Sequence, residues 1–179
     1  MSLIAAVVLT AAAPATAEVT TARTSYAPVV RITCPGNIHS SAVVIAPNRV
    51  IGAEHGFAAG GCGTEPIWYD RDLDLYVGGT SEAFTTQAAV SCDGVIAGRT
   101  YRLIGFEREF SGAALAGYRT IESETGTKDN MMAVEGGAQI GMSGGAVLDD
   151  KGALVGIISA TNGEVTYVRE FSTTSLCMA

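Results

Sequence analysis

The chain has 179 residues, 47% of them hydrophobic and 16% charged, with 11 Lys and Arg against 18 Asp and Glu for a formal net charge of −7. That balance is too apolar for a disordered chain and large enough for one domain or two small barrels sharing a core. No basic run offsets the acidity, so the surface repels phosphate backbones and anionic lipid, and nucleic acid is excluded as a partner.

In chain order, Met1-Ser2 is followed by the apolar run Leu3 to Ala13 and by Pro14-Ala15-Thr16-Ala17. A short apolar core ending in small residues reads as a secretory signal peptide over 1–17, cut after Ala17, which leaves 18–179 as the mature domain. The Lys or Arg that usually precedes such a run is missing, so an N-terminal core strand is the competing reading. The run is too short to span a bilayer and no other run is longer, so the expected location is secreted or periplasmic, with no membrane association after cleavage. Glu18 to Tyr26 is Thr-rich and polar and reads as a loose mature N-terminus.

Twenty-two glycines against five prolines suit a turn-rich β protein. Pro28 to Thr33, Ser40 to Ile45 and Arg49 to Ala53 alternate as strands, the last two joined at Ala46-Pro47-Asn48. The third runs into Glu54-His55. A Gly-rich turn, Ala58 to Gly63, leads to Ile67-Trp68-Tyr69 and then to Asp70-Arg71-Asp72-Leu73-Asp74, followed by the apolar Leu75-Tyr76-Val77. Ser91 to Gly98 is a loop and Arg99 to Phe106 a strand. Phe110 to Thr127 alternates around Tyr118 and Ile121, and Met131 to Val134 is a further strand. No segment holds a helical period, and no repeat is evident.

Four cysteines, Cys34, Cys62, Cys92 and Cys177, in an exported chain imply two disulfides. Three pairings satisfy them. We favour Cys34 with Cys62, whose loop encloses His55, and Cys92 with Cys177, which ties down the C-terminus. With two histidines and no C-x-x-C pair, a zinc site is not expected.

Gly141-Met142-Ser143-Gly144-Gly145 is the most chemically informative stretch. A serine between glycines sits on a tight, open turn where its hydroxyl and neighbouring N–H groups aim at one spot, which builds a nucleophile and an oxyanion hole together. It is followed by Ala146 to Leu148, the polar turn Asp149 to Gly152, and the strand Leu154 to Ile158. This context resembles the Gly-x-Ser-Gly-Gly-Pro signature of trypsin-like serine peptidases, with Ala146 in place of the proline. Ser40 to Phe57 is similar to the family's segment ending in its catalytic histidine, and Asp72 or Asp74 matches the aspartate before an apolar strand. Asp74 is favoured, because an acid at 74 that was not the partner would occupy a normally small, buried site.

The resemblance implies an all-β fold of two packed antiparallel barrels of the six-stranded type, the first one shortened, with the site between them. It further implies a secreted serine endopeptidase of the bacterial or phage kind. Its general base is His55, its orienting acid Asp74 and its nucleophile Ser143, with the Gly141 and Ser143 N–H groups as oxyanion hole. Ser159 matches a serine that bonds the aspartate. Gly137, Thr161 and Val165 match the substrate pocket, where the absence of an acid implies small or apolar residues before the scissile bond. No cofactor or metal is required; the expected partner is a peptide or protein substrate, and the expected state a monomer. Two features depart from the family: only 19 positions (74 − 55) separate His55 from Asp74, and Glu54 replaces an alanine beside the histidine. Either could leave a catalytically silent homologue that binds protein.

Overall fold

The computed structural model describes residues 18–21, 26–57, 62–107, 109–123 and 126–177. The proposed signal peptide and most of the Gly-rich turn at 58–63 lie outside the described residues.

The first half forms a six-stranded sheet from β1 (Glu18–Thr21), β2 (Val29–Cys34), β3 (Ile38–Ala46), β4 (Arg49–Gly52), β5 (Glu65–Asp70) and β6 (Leu75–Gly79), in the order β1-β2-β3-β4-β6-β5. Among the described residues β1 and β5 remain its two edges. The second half closes as a barrel, β10-β11-β12-β9-β8-β7, from β7 (Thr100–Ile104), β8 (Glu109–Ser123), β9 (Gly126–Glu135), β10 (Ala146–Leu148), β11 (Leu154–Thr161) and β12 (Val165–Glu170). Strand pairing is antiparallel throughout both.

Three elements differ from the sequence reading. Glu18 to Thr21 is not loose: it is β1, paired with Val30 to Thr33 of β2, because backbone hydrogen bonding to an edge needs no apolar pattern. The stretch from Phe110 to Thr127 and the strand at Met131 are one long hairpin, β8–β9, with Ser123 opposite Gly126. His55 stands in a single helical turn, α1 (Glu54–Phe57), rather than at a strand end. That turn is too short to show a helical period.

Alternation along the strands builds three layers of apolar contact. Val30, Ile32, Ala42, Val44 and Val50 fill the first half, while Leu103, Met132, Val134, Val147 and Val168 fill the second. The residues between them point the other way. Val43, Ile51 and Leu75 meet Ile104, Ala146, Leu148, Leu154 and Ile157 in a seam shared by both halves. Successive side chains of a strand face opposite sides, so a strand buried on both faces, such as Ala146–Leu148, serves a barrel interior and the seam at once. The connection at 80–99 is stitched to both halves, with Ala88 N–H donating to the Val44 carbonyl at 2.8 Å and Leu154 N–H to the Ala89 carbonyl at 2.8 Å. Disulfides join Cys34 to Cys62 and Cys92 to Cys177.

If the seam carries the docking of the halves, Ile157→Ala should cost about 2–5 kcal/mol of unfolding free energy. Ile67→Ala on the exposed face of β5 should cost about 0.5 kcal/mol or less. Equilibrium denaturation followed by the fluorescence of Trp68, which packs against the seam, measures both; equal effects would show that the seam is not where the stability lies.

Candidate active site

Three segments converge on the seam. The first is α1, set directly after β4. Here His55 Nδ1 lies 2.9 Å and 3.0 Å from the two carboxylate oxygens of Asp74. The backbone N–H of His55 donates to Asp74 Oδ1 at 3.0 Å, and the Glu54 N–H to the Asp74 carbonyl at 3.2 Å. The helical turn thus presents both its first N–H groups and the imidazole to one aspartate.

The second is the turn from Arg71 to Asp74 that joins β5 to β6. The hairpin takes up most of the short interval between His55 and Asp74. An Asx-type bond, Leu73 N–H to Asp70 Oδ1 at 2.9 Å, and a turn bond, Asp74 N–H to the Arg71 carbonyl at 3.2 Å, close it. Asp74 itself has φ +54°, a left-handed conformation that aspartate tolerates better than most residues. It is wholly buried, whereas Asp72 is exposed and takes no part in the bonding of His55. Glu54 does not compete for the imidazole: it pairs with Arg71, with 3.2 Å between Oε1 and Nε.

Burial alone would push the Asp74 carboxyl up. The His55 hydrogen bond and charge, the hydroxyl of Ser159 and the His55 N–H outweigh it and lower the pKa from 3.8 to about 2. Ser159, on β11 of the second barrel, donates its hydroxyl to Asp74 Oδ2.

The third segment is the loop from Gly136 to Gly145. Ser143 Oγ donates to the Ser159 carbonyl at 3.3 Å, and no hydrogen bond between Ser143 and His55 accompanies it among the described residues. Its own carbonyl accepts from Ser41 N–H at 2.8 Å and Ser40 Oγ at 2.9 Å. Gly144 has φ +81°, and a Cβ there would stand 2.1 Å from the Ser41 carbonyl oxygen and 3.1 Å from Ala53 N. Only glycine permits the serine loop to approach the first sheet two residues short of His55. Among the described residues, the N–H groups of Gly141 and Ser143 donate to no protein acceptor. Two donors without an acceptor, two residues apart in the serine loop, are the kind of group that a developing oxyanion would need.

No protein-family model matches the chain, and no curated protein does. Solved structures do. The Rv3671c protease of M. tuberculosis aligns in its inactive form with a TM-score of 0.66 and 16% identity, over 80% of this chain and 83% of that one. Its active form gives 0.65 and 14%, over 80% and 74%. The apo protease domain of MamO from Magnetospirillum magneticum gives 0.63 and 16%, over 79% and 89%. The HtrA-type protease AlgW, solved with a tripeptide, gives 0.64 and 18%, over 82% of this chain and 57% of that one. The fold is that of the trypsin-like serine peptidases.

On this trypsin-like frame the three expected pocket positions also come together. Thr161 and Val165 bracket the turn between β11 and β12, and Thr161 Oγ1 donates to the Val165 carbonyl at 3.0 Å. Gly137 lies against that turn so closely that a Cβ would meet the Gly163 carbonyl oxygen at 2.0 Å. Position 137 is therefore closed to any side chain, acid or otherwise, by backbone contact. Thr166 fixes the same strand through Ala138 N–H to its Oγ1 at 2.7 Å.

Sequence reasoning missed Ser40 and Ser41. Besides its bond to Ser143, Ser41 donates its hydroxyl to the Gly141 carbonyl at 2.8 Å and accepts from Phe106 N–H at 2.9 Å. The signal was there: two adjacent serines leading directly into the apolar run Ala42 to Ile45 enter the core with it and need partners from elsewhere.

Because its folded pKa lies below the unfolded value, Asp74 contributes stability that is present above the unfolded pKa and lost as pH falls through the folded one. Native minus Asp74→Asn stability should therefore shrink by about 2 kcal/mol between pH 5 and pH 2. Urea unfolding across that range tests it; a pH-independent difference would mean that the carboxylate is not held ionised in the fold.

Proposed function

We propose that the chain is a serine endopeptidase in which Ser143 is the nucleophile, His55 the general base and Asp74 the group that orients it. The observation that supports this best is the pairing of His55 Nδ1 with Asp74 and of Asp74 with the Ser159 hydroxyl from the other half, in the same seam that receives the Ser143 loop. The His55 side chain is 44% exposed, with Nδ1 turned to Asp74, which leaves Nε2 as the nitrogen for a hydroxyl and substrate in this reading.

In this mechanism the Ser143 hydroxyl swings from the Ser159 carbonyl to His55 Nε2. It gives up its proton there and its oxygen bonds to the substrate carbonyl carbon. The resulting oxyanion takes hydrogen bonds from Gly141 and Ser143 N–H, and Asp74 stabilises the imidazolium. His55 then protonates the leaving amine, and a water deprotonated by His55 hydrolyses the acyl-enzyme. Thr161, Val165 and the closed Gly137 position favour small or medium apolar residues before the scissile bond. The two disulfides and the N-terminal apolar run support export after removal of 1–17, which leaves 18–179 as the peptidase domain in this reading.

A second reading, a silent trypsin-like homologue that binds protein, is favoured by one observation: the Ser143 hydroxyl points to the Ser159 carbonyl instead of to His55. Treatment of the folded, oxidised protein with a fluorophosphonate separates the two. The peptidase reading expects a covalent adduct on Ser143 that Ser143→Ala abolishes and His55→Ala slows by about a thousandfold or more; no adduct on the native chain supports the silent homologue. Cleavage of a randomised peptide library should show small or apolar residues before the cut, and a strict preference for Lys or Arg would overturn the pocket assignment.

A further inference from the structure

Behind the His55–Asp74 pair the seam holds a buried cation. Arg169, on β12 of the second barrel, is only 3% exposed, in a class of residue that is almost never buried without a role for its charge. Its side chain crosses the seam, and Nε donates to the Leu73 carbonyl at 2.8 Å. That carbonyl belongs to the peptide bond entering Asp74. The Leu73–Asp74 unit is therefore gripped from three directions: its carbonyl by Arg169, its N–H by the Arg71 carbonyl, and the Asp74 carboxylate by His55 and Ser159.

The grip falls where the backbone needs it. A non-glycine residue at φ +54° costs on the order of 1 kcal/mol or more and persists only when its surroundings over-determine it. Loss of the conformation would turn the carboxylate away from the imidazole. The charge also has a destination: Asp74, Asp70 and Glu170 all attract the guanidinium, opposing the effect of burial on it. Glu170, its neighbour on β12, uses a carboxylate oxygen to accept Val95 N–H at 3.0 Å. The end of β12 thus holds the first half through Arg169 and the inter-barrel connection through Glu170.

Resting on the peptidase reading above, we infer that Arg169 is a positioning residue, which fixes the Leu73–Asp74 peptide across the seam so that the Asp74 carboxylate meets His55 Nδ1. It touches neither substrate nor the reacting atoms. It makes the orientation of the imidazole depend on the docking of the two barrels, since His55 and Asp74 come from one and Arg169 and Ser159 from the other.

The test compares Arg169→Gln and Arg169→Lys in the full mature chain, with folding checked by circular dichroism and thermal unfolding. Arg169→Gln should slow labelling of Ser143 by a fluorophosphonate on the order of tenfold to a hundredfold. In peptide hydrolysis the loss should fall on kcat, with KM unchanged. Arg169→Lys, which retains a charge and a donor, should stay within about threefold of wild type. In an Asp74→Asn background the Gln substitution should have no further effect, because Arg169 acts only through Asp74. The His55 Nδ1–H proton resonance, assigned by its loss in His55→Gln, should shift and broaden in Arg169→Gln.

A folded Arg169→Gln with wild-type labelling and an unchanged His55 resonance overturns the inference. So does a folded Arg169→Lys as slow as Asp74→Asn, or additive losses in the double variant. Should Arg169→Gln not fold, Arg169→Met, which keeps the buried aliphatic stem and removes the donor and charge, takes its place: slowed labelling with a shifted His55 resonance is expected, and wild-type values of both overturn the inference. If the native chain does not react with the probe, the peptidase reading fails separately, and the His55 resonance still tests the link from Arg169 to Asp74.

Discussion

The structure depends on one buried carboxylate. Asp74 has no access to water, and an ionised carboxylate in that position is tolerable only if donors surround it. Its donors come from both halves of the molecule: the imidazole and N–H of His55 from the first, the hydroxyl of Ser159 from the second. Neither half alone satisfies the group. Closing the two halves against each other therefore completes the charge's hydrogen bonding and aligns the imidazole in the same event. A site built this way is rigid for the reason that its parts are structurally indispensable, which suits chemistry that needs a fixed general base.

The serine loop is brought to that carboxylate by backbone approach, with side-chain packing secondary. Ser41 ties the loop at two carbonyls, those of Gly141 and Ser143, while Gly144 lets it come within van der Waals range of β3. These contacts leave the Gly141 and Ser143 N–H groups without an acceptor among the described residues. A hydroxyl resting on the Ser159 carbonyl is compatible with that arrangement, since a single side-chain rotation redirects it without moving the loop.

Much of this was legible in the order of residues. Strand alternation around Val43, Ile51, Ala146 and Ile157 announced strands, and the Gly-x-Ser-Gly-Gly string announced a tight turn carrying a serine. Burial logic favoured Asp74 over Asp72, because an acid at 74 that was not the partner would occupy a normally small, buried site, and Asp74 is the one of the two that is buried. The elements that escaped were those with no local pattern. β1 pairs through its backbone, α1 is one turn long, and the β8–β9 hairpin blends into one alternating stretch.

The sequence by itself determined the strands, the identity of the polar residues that must find partners, and the chemical types at the site, because these follow from periodicity and from what each side chain can donate or accept. The tertiary structure alone decided which partners they found. Ser159 meets Asp74 across 85 positions, Arg169 meets Leu73 across 96, and Ser41 meets Gly141 across 100. Contacts at such separations are fixed by how two barrels dock, and docking is governed by the shape of a seam to which many residues contribute and which no short stretch of sequence encodes.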